Sequence, residues 1–125
     1  MDLSGYQFEI TYNNSLIRLT PDDEGGAGAT NGNIISTVIP INWAYDPSGV
    51  PGRLRLTGGT PNQPVTGSGY LAQLHFIVVG TAGKNSTLTI SPIEISPGQP
   101  SAYCYDSNGD KIAVSIQNGS VSIVP

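Results

Sequence analysis

Charge is scarce in this chain: five Lys and Arg stand against nine Asp and Glu over 125 residues, a formal net charge of −4. A nucleic-acid groove needs clustered cations to displace the counterions of phosphate, and these few scattered cations make none. The same shortage disfavours an anionic membrane surface. No apolar run approaches the roughly 20 residues that cross a bilayer as a helix. Cysteine is nearly absent: Cys104 alone excludes an internal disulfide and any site of several thiolates. Between Tyr103 and Tyr105 it reads as a small core residue, with no cation nearby to favour a thiolate. Helical periodicity is also missing. No window of about ten residues carries an apolar stripe of period 3.6 free of Gly and Pro.

Catalytic groupings are lacking too. His75 is the only histidine, and it falls mid-strand, away from any candidate nucleophile and from a third group to orient it. Without a helix there is no Gly-rich phosphate loop opening one. The acids lie mostly in loops, a weak basis for a pair of glycoside-cleaving carboxylates. A protein without catalytic residues is expected.

What the chain has is punctuation. Sixteen Gly, ten Pro and many Ser, Thr and Asn separate short apolar runs, the composition of an all-β, antiparallel two-sheet sandwich. Its length fits one domain, 1–125, with its own core. The organising stretch is 2–20, DLSGYQFEITYNNSLIRLT. Tyr6, Phe8, Ile10 and Tyr12 fall on one side, and Gln7, Glu9 and Thr11 on the other, the period of two of a half-buried strand. Asn13-Asn14 breaks the run, Leu16, Ile17 and Leu19 resume it, and Pro21 ends it.

Further strands are expected at 33–41, restricted to an edge or bulge by Pro40, and at 53–56, with Leu54 and Leu56 inward and Arg53 and Arg55 outward. The strongest is 70–79, with Ala72, Leu74, Phe76 and Val78 on one face and Leu71, Gln73, His75 and Ile77 on the other. Another alternating strand falls at 86–90; 92–95 is a short apolar piece between prolines, 102–105 leads into a turn, and 111–115 and 121–124 close the chain. Turns are expected at Asn31-Gly32, 46–49, Pro51-Gly52, 80–84, Asn118-Gly119 and 106–110, where Asn108-Gly109 is the preferred pair of a type I′ hairpin. The stretch 58–68 reads as a long loop. Sequons at Asn13, Asn85 and Asn118 are no more than chance supplies in such a composition.

Two features invite a ligand. The loop 22–28 begins Asp22-Asp23-Glu24, and Asp106, Asn108 and Asp110 imitate the start of a calcium loop. Oxygen-rich loops suit calcium. Yet adjacent carboxylates rarely converge, and position twelve of the second loop is Gln117 in place of Glu, so a solvated loop tip and a plain turn are the better readings. No cofactor is expected, with calcium as the alternative. Trp43 and Tyr45 lie two apart, on one side of an extended backbone. They could form a sugar-stacking platform, but packing across an open end of the sandwich is favoured, since aromatics mostly serve buried area.

Taken in order, several segments resemble a cohesin domain: LSGYQFEITY at 3–12 followed by Leu16, PGRLRL at 51–56, GSGYLAQLHF at 67–76 and NGSVSI at 118–123. Asn13 stands where the family has Asp, and the family's first two strands are missing. The resemblance implies a jelly-roll sandwich that binds a dockerin-like module. It also implies a partner-binding sheet containing the strands at 6–12, 53–56 and 70–79. If those strands are neighbours, the outward residues Gln7, Glu9, Thr11, Arg53, Arg55, Gln73 and His75 form one mixed polar patch, with Glu9–Arg pairs. The missing strands imply an open edge that dimerises, exchanges strands or accepts a donated one. A structural subunit of a surface assembly and a carbohydrate-binding module are the rival readings. The start, MDLS, has neither the basic nor the apolar region of a signal peptide. Such a start fits either a cytosolic chain or a piece of a larger secreted protein, extracellular or on the cell surface; the second is expected, because a strand begins almost at once.

Overall fold

The computed structural model describes residues 3–60, 64–91, 94–96, 99–100, 104–106, 108, 111–112 and 117–124. In chain order the strands are β1 (Gly5–Thr11), β2 (Ile17–Leu19), β3 (Ala29–Ile34), β4 (Thr37–Ile39), β5 (Ile41–Tyr45), β6 (Arg53–Gly59) and β7 (Gly69–Leu74). There follow β8 (Phe76–Val78), β9 (Asn85–Ser91), β10 (Glu94–Ser96), β11 (Gln99–Pro100), β12 (Cys104–Tyr105), β13 (Lys111–Ile112) and β14 (Gly119–Ser122). Every strand pairing is antiparallel, and no helix occurs among the described residues.

The wide sheet is built on β1. Its whole length pairs with β6, from Gly5↔Gly59 to Thr11↔Arg53, and β5 lies beyond β6. The other edge of β1 is shared by β12 at Gly5 and Tyr6 and by β9 at Glu9 to Thr11. Beyond these come β13 and β14, while among the described residues β10 and β11 pair only with each other. Alternation in β1 does as expected: Tyr6, Ile10 and Tyr12 are buried, and Phe8 is half-buried against them. Leu54 and Leu56 of β6 are the inward half of RLRL and are almost wholly covered.

The facing layer is narrower. β3 and β2 run end to end along one edge of β7 and β8. At the junction the two backbone bonds of His75 are divided, its N–H donating to Gly28 O (2.9 Å) and its C=O accepting from Thr20 N (2.8 Å). The loop 21–27 is thus an excursion out of a nearly continuous ribbon, and β4 completes the layer on β3. The layers meet through Ile17, Leu19, Ile34 and Ile39 on one side and Tyr6, Ile10, Trp43, Leu54 and Leu56 on the other. Tyr6 Oη donates across the core to Leu71 O (2.8 Å), and the Tyr12 and Phe76 rings meet edge to face at 5.2 Å. The result is all-β and sandwich-like.

Four expectations are corrected. Asn31-Gly32 is not a turn but the interior of β3; the turn is Ile35-Ser36, both at positive φ (44° and 67°), steadied by Asn33 Oδ1 accepting from Ser36 N (3.0 Å). Glycine is needed at position 32 for another reason: a Cβ there would overlap the carbonyl oxygens of Tyr70 and Leu71. Gly32→Ala must therefore push β3 from β7, and a loss of about 1–3 kcal/mol is expected in urea unfolding. The 33–41 segment is split into parts of β3, β4 and β5 rather than being one strand. The 58–68 loop is shorter than expected, because β6 runs to Gly59 and Val65 bridges Leu3 through reciprocal backbone bonds of 2.7 and 2.9 Å. The 70–79 strand divides at His75, and Leu71 joins Ala72, Leu74 and Phe76 against the core in place of the alternate face. The hairpin expected over 106–110 has its flanks paired as β12 and β13; its Gly109 and Asp110, and much of 92–95, 102–105 and 111–115, lie outside the described residues.

Burial also sets the alkaline limit. Tyr6 and Tyr12 are pushed above the usual phenol range chiefly by burial, and Cys104 above the usual thiol range by the same cause. Each is neutral when protonated, so a raised folded pKa stabilises the fold below the unfolded pKa and that stabilisation is lost as pH climbs beyond it. Melting temperature is expected to fall from about pH 8.5 as the thiol titrates and more steeply above about pH 10 as the phenols do. Cys104→Ala should flatten the first part of that decline and Tyr6→Phe the second.

Candidate functional site

The outer face of the wide sheet gathers the polar half of β1 and β6. Pairing places Gln7 opposite Thr57, Glu9 opposite Arg55 and Thr11 opposite Arg53, and the matching positions of β5 are Asn42 and Ala44. Parity does this without special geometry, because inward Ile10, Leu54 and Leu56 force their neighbours outward.

Within that face four charges close a ring. Glu9 takes Arg55 Nε at 2.9 Å and Arg53 Nε at 3.5 Å; Asp46, just past β5, takes Arg53 Nη2 at 3.1 Å and Arg55 Nη2 at 2.9 Å. Asp46 is held there by its own N–H, which donates to Arg53 O (3.0 Å). Two cations and two anions cancel, so the face is locally neutral in a chain of net charge −4. The two arginine side chains remain 43–49% exposed, and such pairs contribute only about 0–1 kcal/mol each to folding. Their effect is positional: each Arg is tied through both Nε and Nη2, which leaves its Nη1 donors unused by these pairs. Gln7 adds an amide oriented by the Tyr105 hydroxyl (3.4 Å).

Five of the seven expected patch residues, Gln7, Glu9, Thr11, Arg53 and Arg55, thus share one face. Gln73 and His75 do not join them. Gln73 lies on β7, which pairs with β3 and not with β1 or β6, and His75, at the junction of β7 and β8, has its Nε2 3.0 Å from Thr30 Oγ1 in the narrow layer. The adjacency expected of 70–79 fails because that strand faces β1 across the core. In the sequence Asp46 reads as a turn residue; only its position beside Arg53 reveals its part in the ring.

Trp43 and Tyr45 are buried, edge to face with ring centres 5.2 Å apart. Of the two readings, packing across an end of the sandwich is the one this burial supports: the rings close one end of the core and present no open platform for the alternative of sugar stacking. Trp43 Nε1 donates to Gly26 O (2.8 Å) and the Tyr45 hydroxyl to Asp22 Oδ1. The acidic loop is tied over that end. Asp22 also binds Arg18 (2.6 Å), and Glu24 accepts from Ser48 Oγ (3.0 Å) and from Gly49 N. Asp22 and Glu24 therefore turn to separate protein donors. Asp106 Oδ1 accepts from Asn108 N (2.9 Å), an Asx turn; Asp110 is outside the described residues.

The fold and this face define a sandwich-like all-β domain with an ordered polar sheet surface. Compared with protein-family models, curated proteins and solved structures, the chain matches none.

Proposed function

We propose that this chain is a non-catalytic protein–protein interaction module of cohesin type, extracellular or on the cell surface, which binds a dockerin-like partner with the outer face of its wide sheet. The observation that carries the reading is the ring of Glu9, Asp46, Arg53 and Arg55, flanked by Gln7 and Thr11. An ordinary solvated sheet face holds long side chains in many rotamers. Here the guanidinium groups are already oriented, which lowers the entropy cost of engaging a partner's carboxylates or carbonyls. The segments resembling a cohesin domain support the partner class, and the jelly-roll winding belongs to the same proposal. Isothermal titration of the chain against a panel of dockerin modules tests it: the reading expects saturable one-to-one binding by at least one. Silence across the panel would remove the dockerin assignment.

A further inference from the structure

The narrow layer stops short of the wide one. One edge of β7 and β8 is occupied by β3 and β2, and no strand among the described residues takes the other. Because His75 turns both of its backbone groups to the occupied edge, alternation turns those of Leu74, Phe76 and Val78 to the empty one. The side chains agree. Phe76 and Val78 pair with the buried Leu19 and Ile17 and so belong to the inward face, yet Val78 is 56% exposed and Phe76 and Leu74 are only half-buried. Ile77 and Val79 leave the outward face apolar as well, each 46% exposed.

Beneath the empty edge the wide sheet continues. Trp43 of β5 bonds to Gly26 in the loop before β3, so β3 lies over the β5 side and the empty edge of β8 over the β9–β14 side. The turn 80–84 leads across from β8 to β9, and Ile123 is bonded to Gly83 and Lys84 beside it. Leu88 and Ile90 of β9 and Val121 of β14 face inward, as their register with Ile10 and the buried Ser86 requires, and all three are only half-covered. The space has a hydrogen-bonding wall, an apolar floor and a closed end at 80–84. β7, β8, β9 and β14 contain no charged residue, so the walls match an uncharged occupant even though the whole chain is acidic.

We propose that this slot accepts one extended segment of another polypeptide chain, uncharged and apolar at alternate positions. It would pair with the backbone of Leu74, Phe76 and Val78 and lay its inward side chains on Leu88, Ile90 and Val121. A second copy of the domain meeting edge to edge is disfavoured by shape. An antiparallel pair places both wide sheets on the same side of the shared layer, and the overhanging β9 and β14 of the two copies would collide. A single ribbon brings no second layer. The slot lies on the opposite layer from the polar face, so the inference stands independently of the dockerin reading.

The test uses the intact chain and a synthetic peptide of alternating Val and Thr with terminal Lys, next to the same peptide with a central Pro, which cannot donate to a ladder. Amide exchange at Leu74, Phe76 and Val78 is expected to slow about a hundredfold when the Val–Thr peptide stands 100-fold above its Kd, with melting temperature rising and the Pro peptide inert. Val78→Lys should abolish both effects, and circular dichroism of that variant checks that it is folded. Unchanged exchange at these amides in saturating peptide would overturn the proposal. So would protection that grows with the chain's own concentration and tracks a dimer in sedimentation, which would give the edge to a second copy.

Discussion

Leu54→Ala is expected to lower the unfolding free energy by about 2–5 kcal/mol, the largest stability loss of any single truncation considered for this chain. Leu54 is 0% exposed and sits mid-sheet, opposite Ile10 on β1 and Tyr45 on β5. These neighbours belong to two strands already fixed by their own ladders, so the wall cannot collapse into the cavity and most of the cost persists. Against a total stability of about 5–15 kcal/mol for an ordinary domain, that brings the chain near unfolding at moderate temperature. Urea titration followed by the fluorescence of Trp43, the only tryptophan, measures it directly. Thr57→Ala, on the outer face of the same strand, should change stability by no more than about 0.5 kcal/mol. Equal effects at the two sites would mean that the inward face of β6 has been misassigned.

Arg55→Glu should act in the reverse pattern, with affinity for a dockerin-type partner reduced by about 2–5 kcal/mol, more than about thirtyfold, and stability changed by about 1 kcal/mol or less. Arg55 is the one cation bonded to both Glu9 and Asp46 at 2.9 Å. Reversing it places a third carboxylate beside those two and replaces N–H donors with acceptors. Because all four groups are partly exposed, water relieves much of the repulsion in the free protein. Burial under a partner removes that relief. The exchange Glu9→Arg with Arg55→Glu should restore the internal pairs and the stability without restoring binding, since the partner meets a rearranged set of donors. Titration calorimetry and urea unfolding on the same three proteins separate the two effects.

The sequence revealed most where one residue's position constrained the next. In 6–12 and 53–56 the alternation is unbroken, and inward Tyr6, Ile10, Leu54 and Leu56 follow from it directly, as does the outward set Gln7, Glu9, Thr11, Arg53 and Arg55. It misled where a residue type serves two purposes. Gly32 looks like a turn residue beside Asn31, yet its job is to let β3 approach the carbonyls of β7, and the turn falls on Ile35-Ser36, which carry no turn signature. Alternation also says which way a strand faces but not which sheet it joins. It sets Gln73 and His75 beside Glu9 for that reason, although β7 pairs with β3 on the far side of the core. Asp46 could be found only by pairing: its link to Arg53 and Arg55 depends on β5 and β6 being neighbours. The acidic loop was legible as a loop, while the use of Asp22 and Glu24 as ties to Tyr45, Ser48 and Gly49 depends on contacts remote in sequence.

The claim that matters most is that a protein partner sits on the outer face of β1 and β6. Amide chemical-shift mapping of the labelled chain, titrated with a dockerin module that binds it, tests this most directly. The account expects the largest shifts at Gln7, Glu9, Thr11, Arg53 and Arg55, with little change in the 21–27 loop. Shifts centred on that loop, or on the 35–36 turn, with the Glu9–Arg55 face unmoved, would contradict it.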